Sequence, residues 1–424
     1  MEQTEVGKKV WYPKPEDINS ARMVLSTIIE PTPLIKSLTL SAQYQANIYL
    51  KREDLQQVRS YKIRGAFNKI SSLSKESLSR GIVCASAGNH AQGVAFSALK
   101  LNTRAKMFMP ETTPKQKVRQ VKMFGQDAVE IVLVGDSYDQ AYEAAIKTAE
   151  KEKLEFIHPF DDKKIIEGQA TIGVEIIQQA ECSFDYLFLP IGGGGLASGV
   201  GTYFNTMSPA TKLIGVEPEG APSMKMAMEN GKVVKLNEID TFIDGAAVQK
   251  VGDITFNICK NLISEIVLVP EGLVCSTILK RYNEDAMVVE PAGAMSIAAL
   301  EKYKDKIKGK NICCIVSGSN NDITRTEEIK ERALMYEGLK HYFIIRFPQR
   351  AGALREFVND ILGEGDDITL FEYSKKHNRE KGPALIGIEL NNKDNFKRLI
   401  NNLETKGFGY EYINDKPNLF QYLV

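Results

Sequence analysis

The pattern of this chain predicts an α/β fold with mostly parallel sheets, followed by a small βαββαβ domain. Three observations carry that prediction. From about residue 45 to 335 short apolar runs alternate with longer helical ones, which argues for strands joined by helical crossovers. Glycine- and serine-rich turns follow several of these runs, where an open parallel sheet gathers its ligand-binding loops. After about residue 338 the pattern changes to alternating strands around two amphipathic helices.

Taken in order, strands are expected at Ile82 to Ala85, Ala105 to Met109, Ala128 to Val132, Tyr186 to Leu189, Lys212 to Val216, Ile266 to Val269 and Ile312 to Val316. An earlier strand is expected at Asn47 to Lys51. Helical periods fall at Lys115 to Phe124, Tyr138 to Lys151 and Lys164 to Gln179. In the tail, His341 to Phe347, Ile368 to Ser374, Ala384 to Leu390 and Tyr410 to Ile413 read as strands. Gly352 to Leu362 and Asn395 to Thr405 read as helices, and Lys375 to Lys381 as a charged loop. This order is that of a ferredoxin-like unit.

A chain of 424 residues exceeds one ordinary core, so two or three domains are expected. The boundaries are set at 1–335 for the larger part and 339–424 for the tail. Lys plus Arg and Asp plus Glu are 54 each, so net charge does not point to nucleic acid or an anionic membrane. The start, Met1 to Pro13, lacks the apolar core of a signal peptide, and no apolar run approaches the roughly 18 residues of a spanning helix. The six cysteines form no CxxC pair and do not cluster with the four histidines, which disfavours zinc. They read as small core residues in a reduced cytoplasm.

Four segments carry chemistry. Gly192-Gly193-Gly194-Gly195-Leu196 lies between a strand and a helical run. Glycines let backbone N–H groups crowd around a phosphate, and the helix N-terminus adds a favourable dipole. One or two glycines would read as a tight turn; four in this position favour an anion cradle. The run matches neither GxGxxG nor GxxxxGK[ST], so a dinucleotide or nucleoside triphosphate is disfavoured.

Lys62 stands between a strand and a helical run from about Ile63. Alone it would read as a solvated surface lysine. Beside the other segments it suggests a Schiff-base lysine for pyridoxal phosphate, which needs a partly desolvated pocket. Two roles are open to Arg64: lowering the Lys62 pKa by repulsion, or pairing with a carboxylate. Asn89 can cap a helix or donate to the 3′ oxygen of the pyridoxal ring. Exposed N–H groups of Ser86, Ala87, Gly88, Asn89 and His90 suit a substrate carboxylate, and His90 itself reads as a structural hydrogen-bonding residue. Ser317 is either a turn serine or the partner of the ring nitrogen. A hydroxyl there leaves the nitrogen unprotonated, weakens the electron sink and favours prompt β-elimination over transamination.

Together these residues resemble the fold-type II pyridoxal phosphate enzymes, and among them the biosynthetic threonine ammonia-lyases, or threonine dehydratases. The resemblance rests on Ser60 to Ala66, the run from Ser86, the glycine loop, Glu290-Pro291-Ala292-Gly293-Ala294 and Ser317-Gly318-Ser319-Asn320. It covers nearly all of residues 20–335. It implies two open, twisted lobes, the smaller at about 60–157 inserted in the larger. It also implies Lys62 as both Schiff-base residue and Cα base, and dehydration and deamination of L-threonine to 2-oxobutanoate and ammonia. L-serine is chemically competent as a second substrate. The family usually has Phe where this chain has Tyr61, and either ring can pack beside the cofactor.

The tail resembles the ACT-like regulatory domain of these enzymes, with room for one module. The resemblance implies isoleucine as effector, opposed by valine, near Arg350, Gly352, Ala353 and Leu354; a dimerisation role alone is the competing reading. It further implies a homotetramer or homodimer. Serine racemases share the loops, but carry a second serine where this chain has Ala87, and so racemisation is disfavoured. They also hold a divalent metal through a Glu and an Asp; here Glu217 is present and Ser223 takes the second position. A monovalent cation near Glu217 is the remaining metal expectation. A non-enzymatic amino acid sensor built on this scaffold could dispense with Lys62, which this chain retains.

Overall fold

The computed structural model describes residues 10–373 and 380–416. The N-terminal expectation therefore lies partly outside the described residues, as do Ser374 and most of the charged loop after it. Contacts divide the described residues into two compact units: those to 271 with 280–322, and 272–279 with those after 322.

The first unit contains two sheets. A six-stranded sheet runs in the order Leu34–Lys36, Asn47–Arg52, Asn311–Val316, Tyr186–Pro190, Lys212–Pro218, Glu265–Val269. Only Leu34–Lys36 is antiparallel to its neighbour. A four-stranded parallel sheet runs Val129–Leu133, Ala105–Met109, Ile82–Ala85, Glu155–Phe156. Every expected strand of this region is present, with Ile82–Ala85 and Ala105–Met109 at the expected bounds and the ends of the others within two residues. The short strands Leu34–Lys36 and Glu155–Phe156 were not expected, because runs of three and two residues carry no period.

Continuous apolar runs mark the strands buried on both faces. Ile312, Cys313, Cys314, Ile315 and Val316 are all fully buried, since this strand pairs on both sides. Helix Lys163–Gln179 is buried all round from Ile165 to Ile176 and packs against helices Gly195–Met207 and Lys62–Ser71. Asp162 caps it, accepting from the N–H groups of Lys164 at 2.7 Å and Ile165 at 3.2 Å, which satisfies two of the donors a helix start leaves open.

A buried ionic cluster joins that helix to helix Lys62–Ser71 and to the Asn47–Arg52 strand. Arg64, 1% exposed, uses all five of its donors. Glu53 accepts from Nε and Nη2, each at 2.8 Å. Glu175 accepts from Nη1 at 2.6 Å and Nη2 at 2.8 Å. Thr171 Oγ1 takes the fifth at 3.1 Å. Lys51 Nζ adds bonds to Glu175 at 2.6 Å and to the Thr32 carbonyl at 2.6 Å. Of the two roles open to Arg64, the structure selects the carboxylate pairing. Burial alone would push the Glu53 carboxyl up, but Arg64 and Lys51 outweigh it and hold its pKa below the usual range.

The second unit is an antiparallel sheet in the order Asp367–Tyr373, Lys381–Glu389, Lys340–Pro348, Gly409–Tyr412. Helices Ala353–Asp360 and Asn395–Thr405 supply Phe357, Leu399 and Leu403 to a core with Phe343, Phe347, Ile386 and Ile388. This is the βαββαβ order read from the alternation. No helix among the described residues is long and apolar enough to cross a membrane.

Replacing Arg64 with Met leaves Glu53 and Glu175 buried without their shared cation. Chemical denaturation of the full chain is expected to show a loss of about 3–5 kcal/mol. A change below about 1 kcal/mol would mean that the cluster is not structural.

Candidate active site

Lys62 opens helix Lys62–Ser71, one residue earlier than the apolar period suggested. The turn before it is laced to the loop after strand Asn311–Val316. Tyr61 N–H donates to the Ser317 carbonyl at 3.2 Å, and Ser319 N–H to the Arg59 carbonyl at 2.8 Å. Ser60 and Gly318 form an antiparallel bridge between them. Lys62 and Ser317 are thereby brought side by side from distant parts of the chain. Ser317 is 3% exposed.

The Lys62 amine donates to the Pro159 carbonyl at 3.0 Å and lies 5.5 Å from the centre of the Tyr61 ring. Burial lowers its pKa to about 8, and the nearby Glu290 carboxyl opposes the shift. Desolvation penalises the ammonium form. Arg64 plays no part in this shift, because its charge is taken up by its two carboxylates.

The glycine loop ends strand Tyr186–Pro190 and starts helix Gly195–Met207. Gly194 has φ +92°, a left-handed conformation that side chains disfavour. Side chains would be crowded throughout this loop, and at Gly193 and Gly194 they would clash outright. A Cβ on Gly193 would lie 2.2 Å from the Phe160 ring, and one on Gly192 3.0 Å from Ala246. The Gly193 carbonyl is held by the Thr255 hydroxyl at 2.6 Å. Leu196, expected at the cofactor, is 2% exposed and packs in the large hydrophobic core. Only its backbone N–H, in the first helical turn, is left for an anion.

Ser86, Ala87 and Gly88 form the turn into helix Asn89–Lys100. Ser86 Oγ accepts from the Gly88 N–H at 3.3 Å. Gly88, not Asn89, occupies the cap position, without a side-chain capping bond. The Asn89 side chain instead reaches Glu290, donating from Nδ2 to Oε1 at 2.7 Å. His90 has the structural role expected. Its Nε2 is 2.9 Å from the Ile157 carbonyl, and burial drives its pKa down to about 3, so it stays neutral.

Pyridoxal phosphate fits these residues. Ser60 Oγ and Asn89 Oδ1 are buried without hydrogen-bond partners, as expected of polar atoms lining a ligand site. The side-chain-free glycine loop at a helix N-terminus suits a phosphate. Lys62, with its lowered pKa, donates to Pro159, the residue before the Phe160 that packs on Gly193.

Several site residues were missed in the sequence. Glu290 was quoted only within a motif; burial, chiefly, and Asp244 raise its pKa to about 8, against the Asn89 hydrogen bond and Lys117. The segment from His158 to Asp161 carries the Lys62 acceptor and places Phe160 against Gly193 and Gly195. The Asp161 carboxylate accepts from the N–H groups of Asp253, Ile254 and Thr255 at 2.9–3.1 Å, fixing the helix that supports the glycine loop. A proline between His158 and Phe160, just before the Asp161-Asp162 pair that leads into a helix, was the only signal for this segment.

Glu217 is 1% exposed and caps helix Ser223–Asn230, accepting from Met224 N–H at 2.7 Å and Lys225 N–H at 2.9 Å. Burial raises its pKa to about 8, partly offset by those bonds. No group of three or more His, Cys, Asp or Glu residues among the described residues could hold a metal ion. In the second unit, Gly352 (φ +86°) precedes helix Ala353–Asp360. Arg350 pairs with Glu356, Ala353 is buried, and Leu354 is exposed.

Strand-end loops that gather a lysine, an asparagine, a serine and a glycine cradle define a pyridoxal phosphate site on an α/β scaffold. Residues 25–318 match the family of pyridoxal-phosphate dependent enzymes, and the chain belongs to it. Residues 331–423 match the C-terminal regulatory domain of threonine dehydratase. A biosynthetic L-threonine dehydratase IlvA of Halalkalibacterium halodurans is 57% identical over 96% of this chain and 99% of its own. The Bacillus subtilis protein of the same name is 53% identical over 96% of both. Among solved structures, processed threonine deaminase isoform 2 of Solanum lycopersicum is 41% identical, with a TM-score of 0.72 over 78% of this chain and 92% of that one. Maize serine racemase is 28% identical, with a TM-score of 0.71 over 77% of this chain and 99% of that one.

A lysine amine with a pKa near 8 is largely free above that pH, whereas one in water is free only near pH 10. With the cofactor removed, the full chain should capture pyridoxal phosphate at a rate that rises with pH and is half-maximal near 8. A half-point near 10 would place Lys62 in bulk water.

Proposed function

We propose that this chain dehydrates and deaminates L-threonine to 2-oxobutanoate and ammonia, the committed step toward isoleucine. The observation that carries this reading is the meeting of Lys62, Asn89 and Ser317 beside a side-chain-free glycine loop. The full-length similarity to biosynthetic L-threonine dehydratases supports the substrate.

Pyridoxal phosphate, when bound, supplies the electron sink for charge left at the substrate Cα. The backbone N–H groups of Gly192 to Leu196 would hold its phosphate, the Asn89 amide would donate to the ring 3′ oxygen, and the Ser317 hydroxyl would partner the ring nitrogen. The turn from Ser86 to His90 receives the substrate carboxylate at a helix N-terminus. Lys62, once released, takes the Cα proton as general base. The Pro159 carbonyl holds its amine in place, and the lowered pKa leaves more of that amine unprotonated near neutral pH than a lysine in water would have.

Ala87 presents no hydroxyl on the opposite side of the substrate. With one base only, elimination is favoured over racemisation. L-serine has the same β-hydroxyl and is a second substrate, separated from threonine by one methyl, worth about 1–3 kcal/mol. The βαββαβ unit is assigned an allosteric role, with isoleucine, opposed by valine, binding near Arg350 to Leu354. A homotetramer or homodimer in the cytoplasm accords with such an enzyme. Glu217 remains the place to look for a monovalent cation.

Lys62→Ala should lose both the visible absorbance of the bound cofactor and 2-oxobutanoate formation from threonine. Full activity in that variant would overturn the assignment. A rate-versus-threonine curve should shift to higher threonine when isoleucine is added. Rates indifferent to isoleucine would remove the regulatory role and leave the lyase reading standing.

A further inference from the structure

Glu290 contributes no contact to the scheme above, yet the site is shaped around its carboxyl. It is 4% exposed, at the start of helix Pro291–Ala298. Its own N–H donates to the Gly318 carbonyl at 3.2 Å. A Cβ on Gly318 would lie 2.3 Å from Glu290 Oε1, and one on Gly245 would lie 3.7 Å from it. Gly318, which directly follows Ser317, leaves room for this carboxyl, whereas the distance at Gly245 is an ordinary contact.

The bond from Asn89 Nδ2 to Glu290 Oε1 has a second consequence. Asn89 Oδ1 is buried without a hydrogen-bond partner, so the amide oxygen does nothing to orient the side chain. Orientation comes through the nitrogen alone. That nitrogen has two hydrogens. Glu290 takes one, and the geometry of a planar amide then fixes the direction of the other.

We propose that Glu290 is a positioning residue, which locks the Asn89 amide so that its second N–H meets the cofactor ring at the 3′ oxygen. Glu290 thereby sets both the strength of cofactor binding and the energy of its visible absorbance band. The inference rests on Asn89 being the ring contact assigned under the proposed function.

The test reads the cofactor. In full-length holoenzyme the visible band is recorded; the cofactor is then removed and pyridoxal phosphate titrated back. Glu290→Ala leaves a buried amide donor unpaired, a loss that corresponds to roughly tenfold weaker cofactor binding, and the band should move. Glu290→Gln keeps a carbonyl that accepts from Nδ2, so affinity should stay within about threefold with the band in place. Asn89→Ala should weaken binding at least as much as Glu290→Ala. The double variant Asn89→Ala/Glu290→Ala should be no weaker than Asn89→Ala alone, because Glu290 then has nothing left to orient.

Additive losses, or an unchanged band and affinity in Glu290→Ala, would overturn the positioning role while Asn89→Ala still reports a ring contact. An unchanged affinity in Asn89→Ala would overturn the ring contact itself, and the positioning role with it. If Glu290→Ala does not fold, Glu290→Asp takes its place. It keeps the carboxylate, shortens its reach, and is read through the same cycle.

Discussion

The structure depends first on the pairing of Arg64 with Glu53 and Glu175. A guanidinium and two carboxylates cannot be taken out of water unless each is matched, because the desolvation of one unpaired charge outweighs most single contacts. Here the match is complete: five donors, two carboxylates and a threonine hydroxyl. The partners come from a strand edge, the helix that begins with Lys62, and the long helix Lys163–Gln179. None of these can shift without breaking a charge-assisted bond in a dry interior. Lys62 lies two residues from this fixed point. Its amine inherits a defined origin, and only the flexible side chain remains to be placed by Pro159 and the Tyr61 ring.

Around that anchor, burial works on every titratable group in the same sense, against charge, and gives opposite shifts by residue type. The Lys62 amine falls to about 8 and the Glu290 carboxyl rises to about 8. Groups of opposite type are thus brought to a similar proton affinity. The same desolvation pushes the Cys84 and Cys259 thiols up to about 12, far from the thiolate form that reacts. The interior therefore keeps one nucleophile available and silences the others.

Much of the scaffold was legible because its signals are local. A buried parallel strand shows as a short apolar run, and a ligand loop shows as glycine or serine just beyond it. Lys62, Ser317 and the glycine loop were singled out in that way. The ferredoxin-like unit was legible from the change of period alone. What was not legible depends on partners far away in sequence. Nothing near Arg64 indicates that its carboxylates are at 53 and 175, and nothing near Asn89 indicates that its amide goes to 290 and not to its own helix. Leu196 shows a related limit: its place beside four glycines suggested the cofactor, but helical geometry turns its side chain into the core and leaves only its backbone N–H for such a role. Two-residue and three-residue strands such as Glu155–Phe156 exist only because a neighbour supplies their hydrogen bonds.

The strand Asn311–Val316 is inserted between Asn47–Arg52 and Tyr186–Pro190, and the loop it delivers seats the turn before Lys62. During synthesis, the two flanking strands leave the ribosome long before the one that joins them. Until then the larger sheet has an open gap bordered by unpaired parallel edges, the arrangement most exposed to wrong pairing. Residue 60 acquires its neighbour only when residue 318 has been made. A nascent chain has all its glycines and its lysine, but no site for the cofactor. Capture of the cofactor is thus a signature of a finished sheet, and a cell that supplies pyridoxal phosphate selectively stabilises completed chains over truncated ones.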